Sequence, residues 1–478
     1  MMKKLHASFH NAGRMLFLFI LSGMLACSTA DPSRSGWDQV PEILSRIVPP
    51  VFPEQDFPIT EYGAVGDGKT DCSEALKEAI AACHEAGGGR VVVPPGNYLT
   101  GPIHLKNHVN LHLEKDATLL FSTNPDDYLP VVFTRWEGVE CMNYSPLIYA
   151  FEKENIAITG EGTLDGQAAP ENWWHWSRKD RFGWREGLPA QQQSRNLLFQ
   201  MGEDGIPVEE RVFGDGHYLR PNFIQFYRCK NILIDGITLK RSPMWEIHPV
   251  LSENITVRNV YMETHGPNND GCNPESCRDV LIENCYFDTG DDCIAIKAGR
   301  NEDGRRINLP SENIIIRDCE MKDGHGGVVI GSEMTGGARN IFIENCTMDS
   351  PNLDRALRIK TNSVRGGKVE NVYMRDVEVG EVADAVLRIY FQYEEGDVGQ
   401  HTPEVRNVYL KNVTSRKSRY GLLLEGYERS LITHVVLESC DFNGVAEGNI
   451  LNHVSNMRLR NVMINGVLQD TLEVYKRL

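Results

Sequence analysis

The phrase "NIIIRDCEM" (residues 313–321) decides the fold class of this 478-residue chain. Two apolar runs flank the polar break "RD", which is typical of two short β-strands and lacks the spacing of a helix. Variants of the phrase begin at Asn231, Asn254, Asp279, Asn340, Asn371, Asn407, His434 and Asn456, and a looser copy begins at Asn155. Because the main copies follow one another at intervals of 22 to 36 residues, the chain is predicted to be an all-β solenoid.

Each predicted coil contributes parallel strands that pair with the coils above and below, with a spacing of ~4.8 Å. The leading Asn is predicted to be a turn residue that bonds to its own backbone or to the next coil. Before the repeats, "TDCSEALKEAIAACHEAGGG" (70–89) predicts a capping helix, with Asp71 as its cap and Glu74 completing a capping box. This helix would cover the otherwise exposed edge of the first coil.

The N-terminus has the pattern of an export signal. A basic start precedes the apolar run "MLFLFILSGMLA" (15–26), whose 12 residues are too few to span a membrane. The run ends at Cys27, as in a bacterial lipoprotein, and the alternative is a simple signal peptide. We therefore expect a signal peptide over 1–26, a linker over 27–55 and one catalytic domain over 56–478. The exported protein would be periplasmic, or anchored to the outer membrane of a bacterium through a lipid on Cys27.

Composition limits the partners and the redox chemistry. The formal charge of −17 excludes a nucleic-acid-binding surface, and an acidic ligand would require cations concentrated at its site. Of the 12 cysteines, Cys272 and Cys277 have a spacing that permits a disulfide. Four others recur in phase with the repeat, which favours buried thiols over bridges: Cys285, Cys319, Cys346 and Cys440. No cysteine–histidine zinc pattern is present.

Candidate chemistry lies on consecutive coils, in "NND" (268–270), "GDD" (290–292), "GHG" (324–326) and "RIK" (358–360). Stacking is predicted to gather six side chains into one patch: Asp270, Asp291, Asp292, His325, Arg358 and Lys360. Crowded carboxylates push one pKa up and so supply a general acid beside an ionised base, as hydrolysis of a glycosidic bond requires. Arg and Lys would bind a carboxylate on the sugar. Taken singly, each motif has a simpler interpretation as a turn, a cation site or a charged strand face.

The ordered motifs resemble the polygalacturonase family of glycoside hydrolases (family 28), from about residue 56 to the C-terminus. The resemblance implies a right-handed parallel β-helix, like that of pectin lyases, that cleaves α-linked galacturonic acid in pectin with inversion, without metal or cofactor. It implies that Asp291 is the general acid and that Asp270 and Asp292 activate water. It also implies that His325 tunes the protonation of the acid. The implied substrate-binding residues are Arg358, Lys360, Asn268 and Tyr393. Tyr390 is close enough in sequence to be the family's tyrosine instead of Tyr393. Asn269 stands where the family commonly has Thr.

The stretch "RPNFIQFYRCKNILIDGITLKRSPMWEIHP" (220–249) is similar to the exo-acting branch of the family, in which Trp245 and His248 would face the terminal sugar. Alternatively, Trp245 is a core anchor, that is, a buried side chain that packs in the interior. The segment "ENWWHWSRKDRFGWREG" (171–187) is predicted to wall one end of the cleft so that only a chain end enters. Alternatively, the aromatic faces of this segment form a platform on which sugars stack.

Two other functions remain possible from the sequence. A pectate lyase would use calcium, with the three aspartates as ligands, and would release an unsaturated product. A non-catalytic β-helix would only bind polysaccharide. The sequence leaves open whether the pectin backbone is homogalacturonan or rhamnogalacturonan, and we expect a monomer.

Overall fold

The structure is a computed structural model, and residues 36–469 are described. Its main feature is a long parallel sheet whose strands pair from coil to coil. These strands are Asp56–Pro58, Asp67–Asp71, Gly89–Val93, Gly96–Thr100, Val109–Leu113, Ala117–Phe121, Glu154–Gly160, Thr163–Asp165, Lys230–Asp235, Thr238–Lys240, Glu253–Arg258, Tyr261–Thr264, Arg278–Glu283, Tyr286–Thr289, Ser311–Arg317, Glu320–Met321, Ala338–Glu344, Thr347–Met348, Lys368–Glu381, Glu404–Lys417, Ile432–Glu438, Asp441–Phe442, Val454–Ser455, Arg458–Arg460, Met463–Ile464 and Val467–Leu468. Apart from the final antiparallel pair, every pairing in this sheet is parallel, so the predicted β-helix is confirmed.

A second parallel face completes each coil, and we call it the cleft face. Its strands are Ile103–His104, Ile148–Phe151, Ile224–Tyr227, Ile247–Val250, Ile294–Ile296, Val328–Ile330, Arg355–Lys360, Ala385–Tyr390, Tyr420–Glu425 and Ile450–Asn452. Single bridges through Cys272 join its two halves, from Ile247 to Ile294. The candidate motifs immediately precede or belong to strands of this face.

Stacked side chains fill the interior between the faces. Residues in register on seven successive coils are at most 1% exposed: Ile232, Ile255, Val280, Ile314, Ile341, Val372 and Val408. One coil could not bury these residues alone, so each coil depends on its neighbours for its core. The four in-phase cysteines are buried and free, as predicted. Cys272 and Cys277, whose spacing permits a disulfide, are also buried and free.

The leading asparagines form a ladder along one corner of the β-helix. Asn340 has a positive φ of 58°, a conformation that Asn tolerates better than most residues. Its side-chain amide donates to Oδ1 of Asn313 at 3.0 Å and its own Oδ1 accepts from Asn371 at 3.1 Å. Asn231, Asn254 and Asn407 continue the same pattern. The predicted turn role of these residues is therefore confirmed, with the hydrogen bond made between coils.

The capping helix spans Ser73–Glu85 and covers the first coil with a buried face that includes Leu76 and Ile80. The predicted capping box is wrong, because the N-cap residue lies one position later than predicted. The N-cap residue is Cys72, which makes no side-chain cap. Asp71 lies one residue earlier and accepts from the backbone N–H of Ser73 at 2.9 Å, while Glu74 pairs with Lys77 at 3.0 Å.

The predicted linker contains a helix, Val40–Arg46, that packs on the outside of the long sheet. Val40 and Ile43 are buried against outward-facing residues of five coils, including Ile315 and Phe342. Arg46 fixes the end of this flank helix through two hydrogen bonds to Asp279, at 2.9 and 3.1 Å. Cys27 and the export signal lie outside the described residues. Within residues 36–469, no helix is long and apolar enough to cross a bilayer.

Insertions between coils build a wall beside the cleft face. A hairpin of Val132–Trp136 and Val139–Asn143 is extended by the strand Val212–Phe213, and the helix Gln192–Glu203 packs on it. We call these elements the end wall. Their shared core includes Trp136, Leu198 and Trp245. The hairpin turn reaches the cleft, where the carbonyl of Gly138 accepts from the backbone N–H of Arg300 at 3.0 Å. The remaining helices are Asn301–Ile307 and five short 3₁₀ segments: Ile59–Tyr62, Pro125–Tyr128, Trp174–Ser177, Asp180–Phe182 and Val208–Glu210.

Candidate active site

Three carboxylates meet at the entrance to the cleft face, as the sequence predicts. Asp270, Asp291 and Asp292 each place an oxygen within 4.8 Å of the others. The side chains of Asp270 and Asp292 are only 4% and 1% exposed, whereas that of Asp291 is 14% exposed. Asp291 is therefore the carboxylate of this group that is most open to a ligand.

Each carboxylate of the group has its own basic partner. Nδ1 of His325 lies 2.9 Å from Oδ1 of Asp291, and Nζ of Lys360 lies 2.7 Å from Oδ2 of Asp292. Nζ of Lys297 lies 3.5 Å from Asp270. Three adjacent anions would otherwise repel one another, so these partners are what allows the group to stay together in a buried place.

The two sides of the group differ in proton affinity. Burial, together with the charge of Asp291, raises the pKa of Asp270 well above its usual range. Burial also acts to raise the pKa of Asp291, but the hydrogen bond and charge of His325, with help from Lys360 and Lys179, outweigh it and lower that pKa. In return, the hydrogen bond to Asp291 raises the pKa of His325. Acids whose environments push their pKa values apart are suited to different roles in proton transfer.

A cationic clamp borders the same group. Nη1 of Arg358 lies 3.9 Å from Oδ1 of Asp292, beside the pair of Lys360 with that residue. The ring of Tyr393 lies near both cations, with its centroid 5.5 Å from the Arg358 guanidinium and 5.3 Å from Nζ of Lys360. The Tyr390 ring instead contacts Arg388. The structure therefore brings Tyr393, and not Tyr390, against the clamp.

Sequence reasoning missed Lys297, although its signal was present. The strand Ile294–Ile296 is in register with Val328–Ile330, which is in register with Leu357–Ile359. One residue further on, Lys297 and Lys360 occupy equivalent positions two coils apart. Lys297 is 3% exposed and its Nζ also pairs with Glu333 at 3.0 Å. The match between "IAIK" and "LRIK" predicts this second buried lysine once the strands are aligned.

Two residues predicted to face the terminal sugar lie in the interior. The His248 side chain is fully buried, where Nε2 contacts Glu275 at 2.8 Å and Nδ1 contacts Gln225 at 3.0 Å, so its predicted substrate contact is wrong. Trp245 is 3% exposed and its ring packs under Nζ of Lys297, at 4.3 Å from the centroid. Its alternative role as a core anchor is the correct one. Both are covered because the hairpin of the end wall packs over this part of the cleft face.

The turn before Asp270 is held by its two asparagines. Asn268 has a φ of 56° and its Oδ1 accepts from Arg220 at 2.7 Å. Asn269 is fully buried, donates to the carbonyls of Ser242 and Met244, and accepts from the backbone of Gly266. The departure from the family's Thr therefore supports the backbone of the turn and leaves the position of Asp270 intact.

The same carboxylates could in principle hold a divalent cation. Their oxygens lie close enough together, but the site already contains Lys297 and Lys360 as buried cations. A calcium ion would have to displace these ammonium groups or remain beside them, and either arrangement is unfavourable. The residues present therefore do not fit a calcium site, which counts against the lyase alternative.

The inserted segment 171–187 is anchored by its tryptophans. Trp173 and Trp176 are buried, and Trp173 packs edge-on against Tyr128. Nε1 of Trp174 donates to the carbonyl of Ser242 at 2.9 Å. These rings fasten the insertion beside the turn that precedes Asp270 and do not form an open carbohydrate platform.

Several known proteins are similar to this chain in sequence and in fold. The family model for "Glycosyl hydrolases family 28" matches residues 214–464, and one for "Rhamnogalacturonase A/epimerase, pectate lyase-like" matches residues 57–112. An exopolygalacturonase from Thermotoga maritima superimposes with a TM-score of 0.89 at 47% identity, over 92% of this chain and 98% of that one. This likeness confirms the right-handed parallel β-helix.

Curated relatives agree with the structural match. A probable polygalacturonase of Vitis vinifera is 28% identical over 83% of this chain and 74% of its own length. An exo-poly-alpha-D-galacturonosidase of Dickeya chrysanthemi is 30% identical over 75% of this chain and 62% of its own length. With the family model covering more than half of the residues, the chain belongs to glycosyl hydrolases family 28 and is a glycoside hydrolase.

Proposed function

We propose that the protein hydrolyses α-linked galacturonic acid in pectin and that it removes sugars from a chain end. The observation that carries the proposal is the group of three carboxylates within 4.8 Å of one another, bordered by Arg358 and Lys360. An acidic sugar needs local positive charge in a protein whose net charge is −17, and this clamp supplies it.

Asp291 is the proposed general acid, because it is the most accessible of the three carboxylates. In the free site its pKa is lowered, so the proton of the Asp291–His325 pair rests on the imidazole. A bound sugar excludes water, and desolvation favours a neutral pair over an ion pair. The proton then moves to Asp291, which can donate it to the leaving oxygen as the glycosidic bond breaks.

Asp270 and Asp292 are the proposed base. They lie behind Asp291, are nearly inaccessible and are paired with Lys297 and Lys360, respectively. Lys297 offsets part of the burial that raises the pKa of Asp270. In its ionised form the pair can accept a proton from a water molecule as the water attacks the anomeric carbon. The family resemblance implies an inverting mechanism, in which this water attacks the face of the sugar opposite to the leaving oxygen.

The end wall supports the proposed exo-action. The hairpin turn at Gly138 contacts Arg300, and the segment 171–187 is fastened beside the turn before Asp270. We infer that these elements close one end of the cleft, so that only a terminal sugar reaches the carboxylates. The 47% identical Thermotoga maritima protein is itself an exopolygalacturonase.

Product analysis tests the proposal. Wild-type protein should release mainly monosaccharide or a short product from polygalacturonate, with a slow fall in viscosity per new reducing end. Asp291→Asn should fold normally and lose a factor of about 10²–10⁴ in kcat, the usual contribution of a general acid. Early loss of viscosity would refute exo-action, and full turnover by Asp291→Asn would refute the assignment of the acid.

The same assay separates the lyase alternative. A calcium-dependent lyase releases an unsaturated uronide that absorbs in the ultraviolet, and its activity stops when a chelator is added. We expect no product that absorbs in the ultraviolet, and we expect the release of reducing sugar to be the same with and without the chelator. Binding of polygalacturonate without any new reducing ends would instead indicate a non-catalytic β-helix.

We further propose that the protein is exported and carries a lipid on Cys27. The support is the apolar run 15–26 that ends at this cysteine. Expression of the full chain and of Cys27→Ser, followed by membrane fractionation and mass analysis of the mature N-terminus, tests it. The protein should leave the membrane fraction on substitution, and an identical distribution of both forms would refute the anchor.

A further inference from the structure

Glu246 is a buried acid for which the proposed mechanism has no role. It immediately precedes the cleft-face strand Ile247–Val250, and its side chain is fully buried. Oε1 of Glu246 lies 2.7 Å from Oγ1 of Thr264, whereas Oε2 has no hydrogen-bond partner among residues 36–469. A buried carboxylate that lacks a cation and a full set of donors is costly. The protonation state of Glu246 therefore needs an explanation.

The hydrogen bonds around Asn269 determine where the proton of Thr264 goes. Nδ2 of Asn269 donates to the carbonyls of Ser242 and Met244, each at 3.0 Å. Its Oδ1 accepts from the backbone N–H of Gly266 at 2.7 Å, so these three contacts fix the orientation of the amide. Oδ1 is also the atom that faces Oγ1 of Thr264, at 2.9 Å. Because an amide oxygen can only accept, the hydroxyl of Thr264 donates its single proton to Asn269.

This direction requires Glu246 to be the donor in the remaining contact. The hydroxyl of Thr264 has no second proton, so the proton between Oγ1 and Oε1 belongs to Glu246. An ionised Glu246 would leave one of the two contacts of Thr264 with two acceptors and no proton. The surroundings agree, since burial raises the pKa of Glu246 well above its usual range, against the contact with Thr264 and with help from the charge of Asp270.

The turn that Asn269 stabilises is connected to both the proposed base and the proposed acid. Asn269 directly precedes Asp270, whose carbonyl accepts from the backbone N–H of Glu246 at 2.9 Å. The carbonyl of Asn269 accepts from the backbone N–H of Asp291 at 3.2 Å. Asn269 is therefore bonded through its side chain to Thr264 and through its backbone to the residue that carries the acid.

We propose that Glu246 is a positioning residue that acts as a neutral acid. Its proton begins a chain of hydrogen bonds through Thr264 to Asn269, and this chain fixes the separation of the proposed base from the proposed acid. The inference rests on the proposed function, in which Asp270 activates water and Asp291 protonates the leaving oxygen. A neutral acid satisfies the hydroxyl of Thr264 without adding a fourth negative charge behind the three carboxylates.

Infrared difference spectra of wild type and Glu246→Gln at neutral pH test the protonation state. We expect the variant to lose the carbonyl band of a protonated carboxylic acid, and the loss of carboxylate bands instead would overturn the proposal. The amide of Gln donates to Thr264 as the acid does, so the variant should retain most of kcat and the position of the acidic limb of kcat/KM. A shift of that limb to lower pH would also overturn the proposal, because it would mean that Asp270 had lost a neighbouring anion.

Thr264→Val tests the positioning role. The variant keeps the shape of the side chain but removes the hydroxyl, so kcat should fall about 10- to 100-fold, the effect of a small displacement of the reacting groups. KM should stay near that of wild type, because the clamp is unchanged. Thr264→Ser keeps the hydroxyl and should retain most of kcat. Thr256→Val is the matched control and should behave as wild type, since Thr256 is 1% exposed and its Oγ1 has no partner within the described part of the chain.

Glu246→Leu removes the other end of the chain of hydrogen bonds and should lose a similar factor in kcat, so the test does not depend on the folding of one variant. Circular dichroism checks that each variant is folded. Wild-type kcat in folded Thr264→Val or Glu246→Leu would overturn the positioning role. Wild-type protein that released no reducing sugar from polygalacturonate would overturn the proposed function and the positioning role with it, whereas the infrared band decides the protonation of Glu246 in either case.

Discussion

Replacement of Lys297 by Met should shift the pH dependence of the enzyme. Lys297 is buried between Asp270 and Glu333, with its ammonium 3.5 Å from the first and 3.0 Å from the second. The substitution keeps an unbranched apolar stem over the ring of Trp245 but removes the charge. Asp270 then loses the nearest cation that favours its ionised form, in a place where burial already raises its pKa.

The magnitude follows from the distance between the charges. At 3.5 Å and an effective dielectric constant of about 20, the attraction is ~5 kcal/mol. Loss of this attraction raises the pKa of Asp270 further. Because about 1.4 kcal/mol is tenfold in an equilibrium constant, the ionised fraction of Asp270 below its pKa should fall by a factor of roughly 10³. Asp270 must be ionised to accept a proton, so the acidic limb of the kcat/KM profile should move to higher pH.

The assay is release of reducing ends from oligogalacturonate between pH 3 and 9, for wild type, Lys297→Met and Lys297→Arg. The arginine variant keeps the charge and should keep a limb close to that of wild type. Glu333 retains Arg300 at 3.4 Å in every variant, which limits the loss of stability. If activity in Lys297→Met falls equally at all pH values, Lys297 only supports the packing of Trp245 and the electrostatic argument is refuted.

Three further outcomes are expected. Asn340→Ala should lower the free energy of unfolding by about 3 kcal/mol, because it loses two ladder hydrogen bonds and places Ala at a positive φ. In urea titrations Asn340→Gly should recover about 1 kcal/mol of this loss, and equal values for the two variants would contradict the argument from backbone strain. His325→Gln should lower Tm most near pH 5–6, because the raised pKa of His325 keeps its ion pair with Asp291 charged at that pH. The Tm difference from wild type should vanish as the pH rises through that pKa, and a difference that does not depend on pH would argue against the ion pair. The 11 described cysteines should resist alkylation in the native protein and react after unfolding, and rapid native labelling of any of them would contradict their burial.

The fold was predictable because the repeat encodes it locally. Each copy carries its own strands and its own leading Asn, and parallel stacking is the arrangement that buries all copies at once. The same logic placed Asp270, Asp291, His325 and Arg358 together, since residues at equivalent positions of successive coils are neighbours in space. The alignment that gives Arg358 would also have given Lys297.

Errors arose where the chain leaves the repeat. His248 has the alternation of an outward-facing strand residue, but the hairpin 132–143 arrives from more than 100 residues earlier and covers it. The hydrogen bond from Trp174 to Ser242 likewise depends on how an insertion folds back across the coils. The capping helix was predicted correctly as an element, and only the residue at its start was misplaced. Long-range contacts of this kind have no periodic signal in a single sequence.

The construction of the cleft face from stacked coils limits how its specificity can evolve. Lys297 and Lys360 are separated by two strand spacings, about 10 Å, and this distance is set by backbone hydrogen bonds. A point substitution can change the group that a coil presents but cannot change the pitch. Enzymes of this architecture can therefore alter their substrate preference by substitution within a coil or by insertion at its corners, whereas a different subsite spacing would require the gain or loss of a whole coil.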